Sequence, residues 1–496
     1  MRHFITYLLS TIVLITLLGS CERATGISYM IEVQDMTCTS EAQDDIKITY
    51  LLHTNVLETD VRANIHTNAE WITIGDTSIL GEFSVSITEN TSITRSAEIN
   101  IVVDGCKSAK MTLTQLGVPP AESNHTLMYL FMGTSLSRYF TTNIEDASKA
   151  IATGILGNNN RVLFFRQESA SKGYIGELCF ATNNQCEVRR LQDITIDSGL
   201  ITPEVVGGYI ATMAEYAPAK RYGLICAGHG QAWLPRDVII SDKDISKLSF
   251  DYDPWEQAAG AETTRAFGDK PNFIMNIPEL ASAIELSGVE LDYMLFDACF
   301  MSNIETVYEL RNMANYIIAS PCEIMGRGFP YEKTLPHLFV DGGNTTNYVG
   351  AAESYHLYYR DEYANNARSA SIAVFDCSEI EALADATKRI MKSATEEYDA
   401  SKLQTYEGQK VHHFYDFGQW ANTVATDSEA LNSFNNQLSK CVIAKYTIDT
   451  FYSAYGVYGV YNIDTNVYSG VTTSAPSKAY PNAWKQTSWY NYICSD

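Results

Sequence analysis

The sequence predicts an α/β domain built on a mainly parallel central sheet and preceded by a small all-β sandwich. A change in hydrophobic rhythm along the chain predicts this. Before about residue 117 apolar and polar residues alternate in short runs, whereas beyond residue 125 nearly continuous apolar runs alternate with helix-period segments. Between them lies a polar stretch with two prolines, Val118 to His125. Period two places alternate side chains on opposite faces of a half-buried strand, while a strand covered on both faces reads as a continuous apolar run. The length of 496 residues calls for more than one core, and a hydrophobic content of 46% supplies enough apolar surface to fill them.

The first element is a targeting segment. Met1-Arg2-His3 carries positive charge, residues 4–18 are almost wholly apolar, and Leu18-Gly19-Ser20-Cys21 follows. The run is short for a bilayer-spanning helix of about 20 residues and ends in small residues, the pattern of a cleaved export signal. Residues 18–21 resemble the bacterial lipobox, which implies a signal peptide over 1–20, a mature chain beginning at an acylated Cys21, and a short tether over 21–27. The expected location is an exported lipoprotein, periplasmic or anchored at the outer membrane or cell surface.

Residues 28–117 form the predicted all-β unit. Ile46-Lys47-Ile48-Thr49-Tyr50, Phe83-Ser84-Val85-Ser86-Ile87, Ala97-Glu98-Ile99-Asn100-Ile101 and Met111-Thr112-Leu113-Thr114 alternate strictly, and about seven such runs suggest a sandwich. Trp71-Ile72-Thr73-Ile74, Glu89-Asn90-Thr91-Ser92 leading to Arg95, and Leu113-Thr114-Gln115-Leu116-Gly117 resemble the BACON domain of secreted Bacteroidetes proteins. The resemblance implies contact with glycan or mucin, although the residues show no sugar platform and Trp71 reads as core.

After the linker at 118–125, strands are predicted over 127–132, 161–165, 222–227, 291–296, 316–319 and 371–375. Helices are predicted over 143–153, 203–216, 277–286 and 302–313. In open α/β sheets ligands bind beyond the carboxyl ends of the strands. Two strand ends carry reactive groups: Tyr222 to Ala227 runs into Gly228-His229-Gly230, and Leu291 to Phe296 runs into Asp297-Ala298-Cys299. A histidine between glycines has little steric cover. A cysteine just before a helical segment is expected to feel a helix N-terminus that favours thiolate. If the two strands are neighbours, the pair supplies a nucleophile, a base and backbone N–H donors for an oxyanion.

These motifs resemble the clostripain family of cysteine peptidases: Gly-His-Gly after one strand, Asp-Ala-Cys-x-Met after the next, and Glu305-x-x-Tyr308-Glu309-Leu310 on the following helix. Ala319-Ser320, Gly326-Arg327-Gly328-Phe329-Pro330-Tyr331, Tyr415-Asp416-Phe417 and Trp489-Tyr490 extend the likeness over residues 126–496. The resemblance implies a caspase-like α/β sandwich and an endopeptidase working through a thioester. Cys299 matches the family nucleophile and His229 its general base, while Gly230 and Cys299 match the N–H donors of the oxyanion hole. Asp297 matches the acid that receives a basic side chain, which implies cleavage after Arg or Lys and substrates that are proteins or peptides with basic residues. Two departures concern the pocket. The usual His-Gly-Ser-Gly-Trp reads His229-Gly230-Gln231-Ala232-Trp233, and Arg327 is a cation that would oppose a basic substrate if turned inward, with Glu323 as its expected offset.

The stretch 234–275 contains Arg236, Lys243, Lys247, Arg265 and Lys270, and reads either as an uncut insertion or as the site of activating self-cleavage found in the family. No cofactor is needed for the chemistry. Calcium, on which some relatives depend, stays open: Asp242, Asp244, Asp251 and Asp253 lie here without a recognisable ligand spacing. The formal charge of 35 − 59 = −24 argues against nucleic acid as a partner. Cys38 with Cys106 and Cys179 with Cys186 are the candidate disulfides among eleven cysteines. The competing reading is a surface binding lipoprotein with an inert peptidase-like domain; an intact Cys299 and His229 argue against it.

Overall fold

The computed structural model describes residues 29–53, 62–104, 106–118, 120–157, 159–181, 184–196, 201–236, 260–265, 275–395, 398–475 and 480–495. Cys21, the export segment and the aspartates at 242–253 lie outside the described residues. The chain divides into two compact units, residues 1–119 and 120–496.

The first unit contains nine strands among its described residues: β1 (Tyr29–Val33), β2 (Met36–Cys38), β3 (Gln43–His53), β4 (Ala63–His66), β5 (Ile72–Ile74), β6 (Glu82–Ile87), β7 (Arg95–Val103), β8 (Cys106–Lys107) and β9 (Ala109–Gln115). They form two sheets, ordered β5-β6-β3-β1-β8 and β2-β9-β7-β4. Alternate residues of both sheets meet in one core, with Phe83, Val85, Ile99, Ile101 and Leu113 almost fully buried. The sandwich is therefore as expected, with more strands than the seven read from alternation. β2 and β8 are too short to show a period. Trp71 packs half-buried against this core, under the Arg95 guanidinium at 4.5 Å.

The second unit holds one nine-stranded sheet, built from β10 (Ser123–Phe131), β11 (Asn160–Gln167), β12 (Lys172–Ala181), β13 (Gln185–Thr195), β14 (Ala219–Ala227), β15 (Leu291–Asp297), β16 (Ala314–Ala319), β17 (Ile372–Asp376) and β19 (Val442–Tyr446); β18 (Tyr415–Asp416) pairs elsewhere. The order is β13-β12-β11-β10-β14-β15-β16-β17-β19. β11, β10, β14, β15 and β16 run parallel, and antiparallel strands flank them on both sides. The four flanking strands make the sheet mixed. The β12–β13 hairpin escaped the pattern reading because β13 lies at the sheet edge and is largely exposed.

Helix α1 (Ser137–Ala152) joins β10 to β11, whereas α2 (Pro203–Tyr216), α3 (Ile277–Ser287) and α4 (Ile304–Leu310) accompany the steps from β13 through β14 and β15 to β16. These steps run in opposite directions from β10. Right-handed crossovers therefore put α1 on one face and α2 to α4 on the other. The reversal creates a switch point where the carboxyl ends of β10 and β14 open a crevice.

Neither candidate disulfide forms; all four cysteines are free thiols. Cys38 and Cys106 lie in different sheets of the sandwich. In the β12–β13 hairpin Cys179 stands opposite Glu187 and Cys186 opposite Phe180, so the two thiols point to opposite faces.

Candidate active site

β14 and β15 are adjacent parallel strands with Ala227 level with Asp297, so His229 and Cys299 leave neighbouring strand ends. The glycine after the histidine has a steric cause. A Cβ on Gly230 would stand 2.3 Å from the Cys299 carbonyl oxygen and 2.7 Å from its nitrogen. Only a residue without a side chain lets these two backbones run so close, and that approach aims both N–H groups at one point. Ala232, one of the two departures from the family pattern read in the sequence, is buried and holds φ 53°, a conformation that costs a non-glycine residue about 1 kcal/mol or more. Phe300, directly after the cysteine, sits at φ 61° and stacks on Phe414. Strain of this kind clusters at functional sites.

What the two N–H groups address is a carbonyl of the same chain. Gly230 N–H donates to the Arg265 carbonyl oxygen at 2.8 Å and Cys299 N–H donates to it at 3.4 Å. Residues 263–265 lie against 324–326 as a short antiparallel bridge. Arg265 N–H donates to the Ile324 carbonyl at 2.8 Å, and Gly326 N–H donates to the Thr263 carbonyl at 2.7 Å. The Arg265 side chain is fully buried. One Nη1 sits 2.9 Å from Asp297 Oδ2 and also donates to the Asp297 carbonyl, Nε donates to the Gly326 carbonyl, and Nη2 donates to Asn143 Oδ1 at 2.6 Å. Tyr331 donates its hydroxyl to the same Asp297 oxygen at 2.7 Å. Burial raises the Asp297 pKa, and the Arg265 charge and the Tyr331 hydroxyl work against that rise. Removing one partner of such a pair leaves a buried charge uncompensated, at a cost of about 3–5 kcal/mol.

Cys299 is fully buried beneath this segment. Its Sγ accepts from Ile324 N–H at 3.0 Å and rests 3.5 Å from the Ile324 carbonyl. Burial, then the Glu323 charge, pushes the thiol well above its ordinary pKa. Burial thus opposes the thiolate expected from a helix N-terminus. α4 begins only at Ile304, five residues beyond the cysteine. His229 is half-buried, with its Nε2 2.7 Å from Ser135 Oγ, beyond the end of β10.

Glu323 and Arg327 do not offset one another. The Arg327 guanidinium is held by Asp146 at 2.6 Å, so only its carbonyl faces the Arg265 pocket, accepting from Nη2 at 3.3 Å. Glu323 instead accepts from the Thr264 hydroxyl at 2.6 Å. Sequence reasoning named Arg265 only as one of five basic residues and missed Ser135, Asn143 and Tyr331. Tyr331 lay inside a motif already quoted; Ser135 and Asn143 carry no local signal. Among the described residues no group of three or more His, Cys, Asp or Glu is placed to hold a metal.

The family model described as the clostripain family, peptidase C11, matches residues 129–456. The X-ray structure of a secreted C11 cysteine protease from Bacteroides thetaiotaomicron is similar at 28% identity, covering 75% of this chain and 100% of that one, with a TM-score of 0.65. A secreted C11 cysteine protease from the same species, in complex with an irreversible peptide inhibitor, is similar at 25% identity, 75% and 99% coverage and a TM-score of 0.61. An inactive zymogen C11 protease from Parabacteroides distasonis is similar at 27% identity, 76% and 99% coverage and a TM-score of 0.62. Among curated proteins none matches this chain.

Proposed function

The chain belongs to the clostripain family of cysteine peptidases, and from that premise we propose that Cys299 is its nucleophile, His229 its general base, and the bond after Arg265 its own first substrate. One observation carries the reading. The Arg265 carbonyl lies between the N–H groups of Gly230 and Cys299 while its guanidinium meets Asp297, which is the pose of a substrate cleaved after arginine. That one similar structure is an inactive zymogen and another holds a peptide inhibitor supports a chain that occupies its own cleft until it is cut.

In the proposed reaction His229 removes the Cys299 thiol proton as Sγ attacks the Arg265 carbonyl carbon. The developing oxyanion is stabilised by Gly230 and Cys299 N–H, a contribution worth about 3–4 kcal/mol per donor in comparable sites. His229 then delivers the proton to the leaving amine of Ala266 as the C–N bond breaks, and water hydrolyses the thioester. Ser135 holds the imidazole from its Nε2 side. Asp297 gives the pocket a buried negative charge, so the same site accepts external peptides with Arg, and less well Lys, before the cut bond.

The remaining proposals rest on sequence: an export signal over 1–20, a lipid anchor at Cys21, domain limits at 28–117 and 126–496, and contact with glycan or mucin by the all-β unit. Incorporation of labelled fatty acid that is lost in Cys21→Ser tests the anchor. For the catalytic reading, purified wild type and Cys299→Ala are incubated, their fragments sequenced, and hydrolysis of an arginyl fluorogenic peptide followed. The wild type is expected to yield a new N-terminus at Ala266 and gain hydrolysis as it does so, with neither in Cys299→Ala. Equal hydrolysis by both proteins defeats the assignment.

A further inference from the structure

The strand that reaches the nucleophile presents more than arginine. Successive side chains of an extended segment point to opposite sides, so Thr264 faces away from the Arg265 pocket. It is buried, and its Oγ1 donates to Glu323 Oε2 at 2.6 Å. Glu323 is fully buried and its remaining acceptor sites are spoken for: Ser453 Oγ and the Ala454 N–H donate to Oε1, and the Ala454 N–H also reaches Oε2 at 3.1 Å. These donors come from β20 (Thr450–Ser453) and its end, and they hold the carboxylate with one free direction, toward the residue preceding the cut arginine.

We infer that Glu323 is a specificity-determining residue that selects a short hydroxyl side chain, threonine or serine, immediately before the arginine at the cleaved bond. The inference rests on the reading of Arg265 as a substrate mimic and extends it by one residue. Valine has the shape of threonine but leaves the fixed acceptor without its donor, and a site built to bond a hydroxyl discriminates strongly against the analogue that lacks one. Lysine could pair with the carboxylate only by displacing it, because the 2.6 Å contact leaves no space for a longer chain.

The test uses the processed wild-type protein and four fluorogenic peptides with arginine at the cleaved bond and Thr, Ser, Val or Lys before it. The assay is run at pH 8, above the value of about 7 to which burial raises Glu323. Threonine is expected to exceed valine by roughly tenfold or more in kcat/KM, with serine between them. Equal rates for threonine and valine, or a preference for lysine, overturn the inference while leaving cleavage after arginine intact. No hydrolysis of any of the four overturns the Arg265 reading instead. Glu323→Gln, a weaker acceptor, is expected to narrow the threonine-to-valine ratio, and an unchanged ratio in that variant assigns the discrimination elsewhere and also overturns it.

Discussion

At the scale of single residues, the pocket is shaped as much by a missing side chain as by a charged one. Gly328 has φ +73°, and a Cβ there would stand 2.3 Å from Arg265 Nη2 and 2.5 Å from Asp297 Oδ2. Gly328→Ala is therefore expected to exclude the guanidinium, lowering kcat/KM for arginyl peptides by about 100-fold or more and blocking release of the Ala266 N-terminus. Steady-state kinetics with fragment sequencing checks both. Cys299 invites a second measurement, since its thiol is fully buried beneath the Arg265 segment and burial pushes its pKa up. Its alkylation by iodoacetamide, followed by peptide mass mapping at pH 7.5, is expected to be slow in an uncut Arg265→Lys preparation and at least tenfold faster once the chain is cut. Equal rates would show that the segment does not shield the thiol. Cys299 and His229 were legible as reactive types at strand ends, whereas the roles proposed for Gly230 and Asp297 came from the likeness to the clostripain family. Arg265 was not legible, because a basic residue in a long insertion has no local mark that says where it docks.

Among the elements, β10 links the sheet to a proton-dependent stability. His125 is fully buried near its start, edge-on to Tyr293 and packed on Phe339, and desolvation with the nearby Arg221 charge lowers its pKa from 6.5 to about 4, against the Asp292 charge. The unfolded chain takes up this proton near pH 6.5 and the folded chain only near pH 4. The contribution is thus intact above pH 6.5 and lost as pH falls toward about 4. Compared with wild type, His125→Phe is expected to be about 2 kcal/mol better placed at pH 5 than at pH 7, read from urea unfolding at both values. No change in that difference would rule the linkage out. The parallel strands and α2 announced themselves because burial on both faces and a 3.6-residue period are local properties. The β12–β13 hairpin did not, since an edge strand carries little apolar signal.

For the whole molecule, the two larger hydrophobic cores of the described residues divide the work, one inside the sandwich and one around the nine-stranded sheet, while a third, smaller cluster gathers Cys322, Tyr406, Phe451, Ile463 and Tyr468. Residues 28–117 expressed alone are expected to unfold cooperatively with a β-type circular dichroism spectrum, and a chain beginning at residue 120 is expected to keep peptide hydrolysis within about twofold of the full-length protein. A loss of activity beyond tenfold would show that the sandwich serves the chemistry. The fold class, and the pair of residues proposed as the dyad, could be read from the amino-acid order because alternation, apolar runs and glycine-flanked reactive residues are short-range features. Three matters had to wait for the chain to close on itself. The first is which arginine fills the pocket, the second is that Arg327 turns to Asp146 and away from it, and the third is that Glu323 meets Thr264. Each depends on residues from 32 to 181 positions apart, whose meeting is set by strand order and crossover hand rather than by any local pattern.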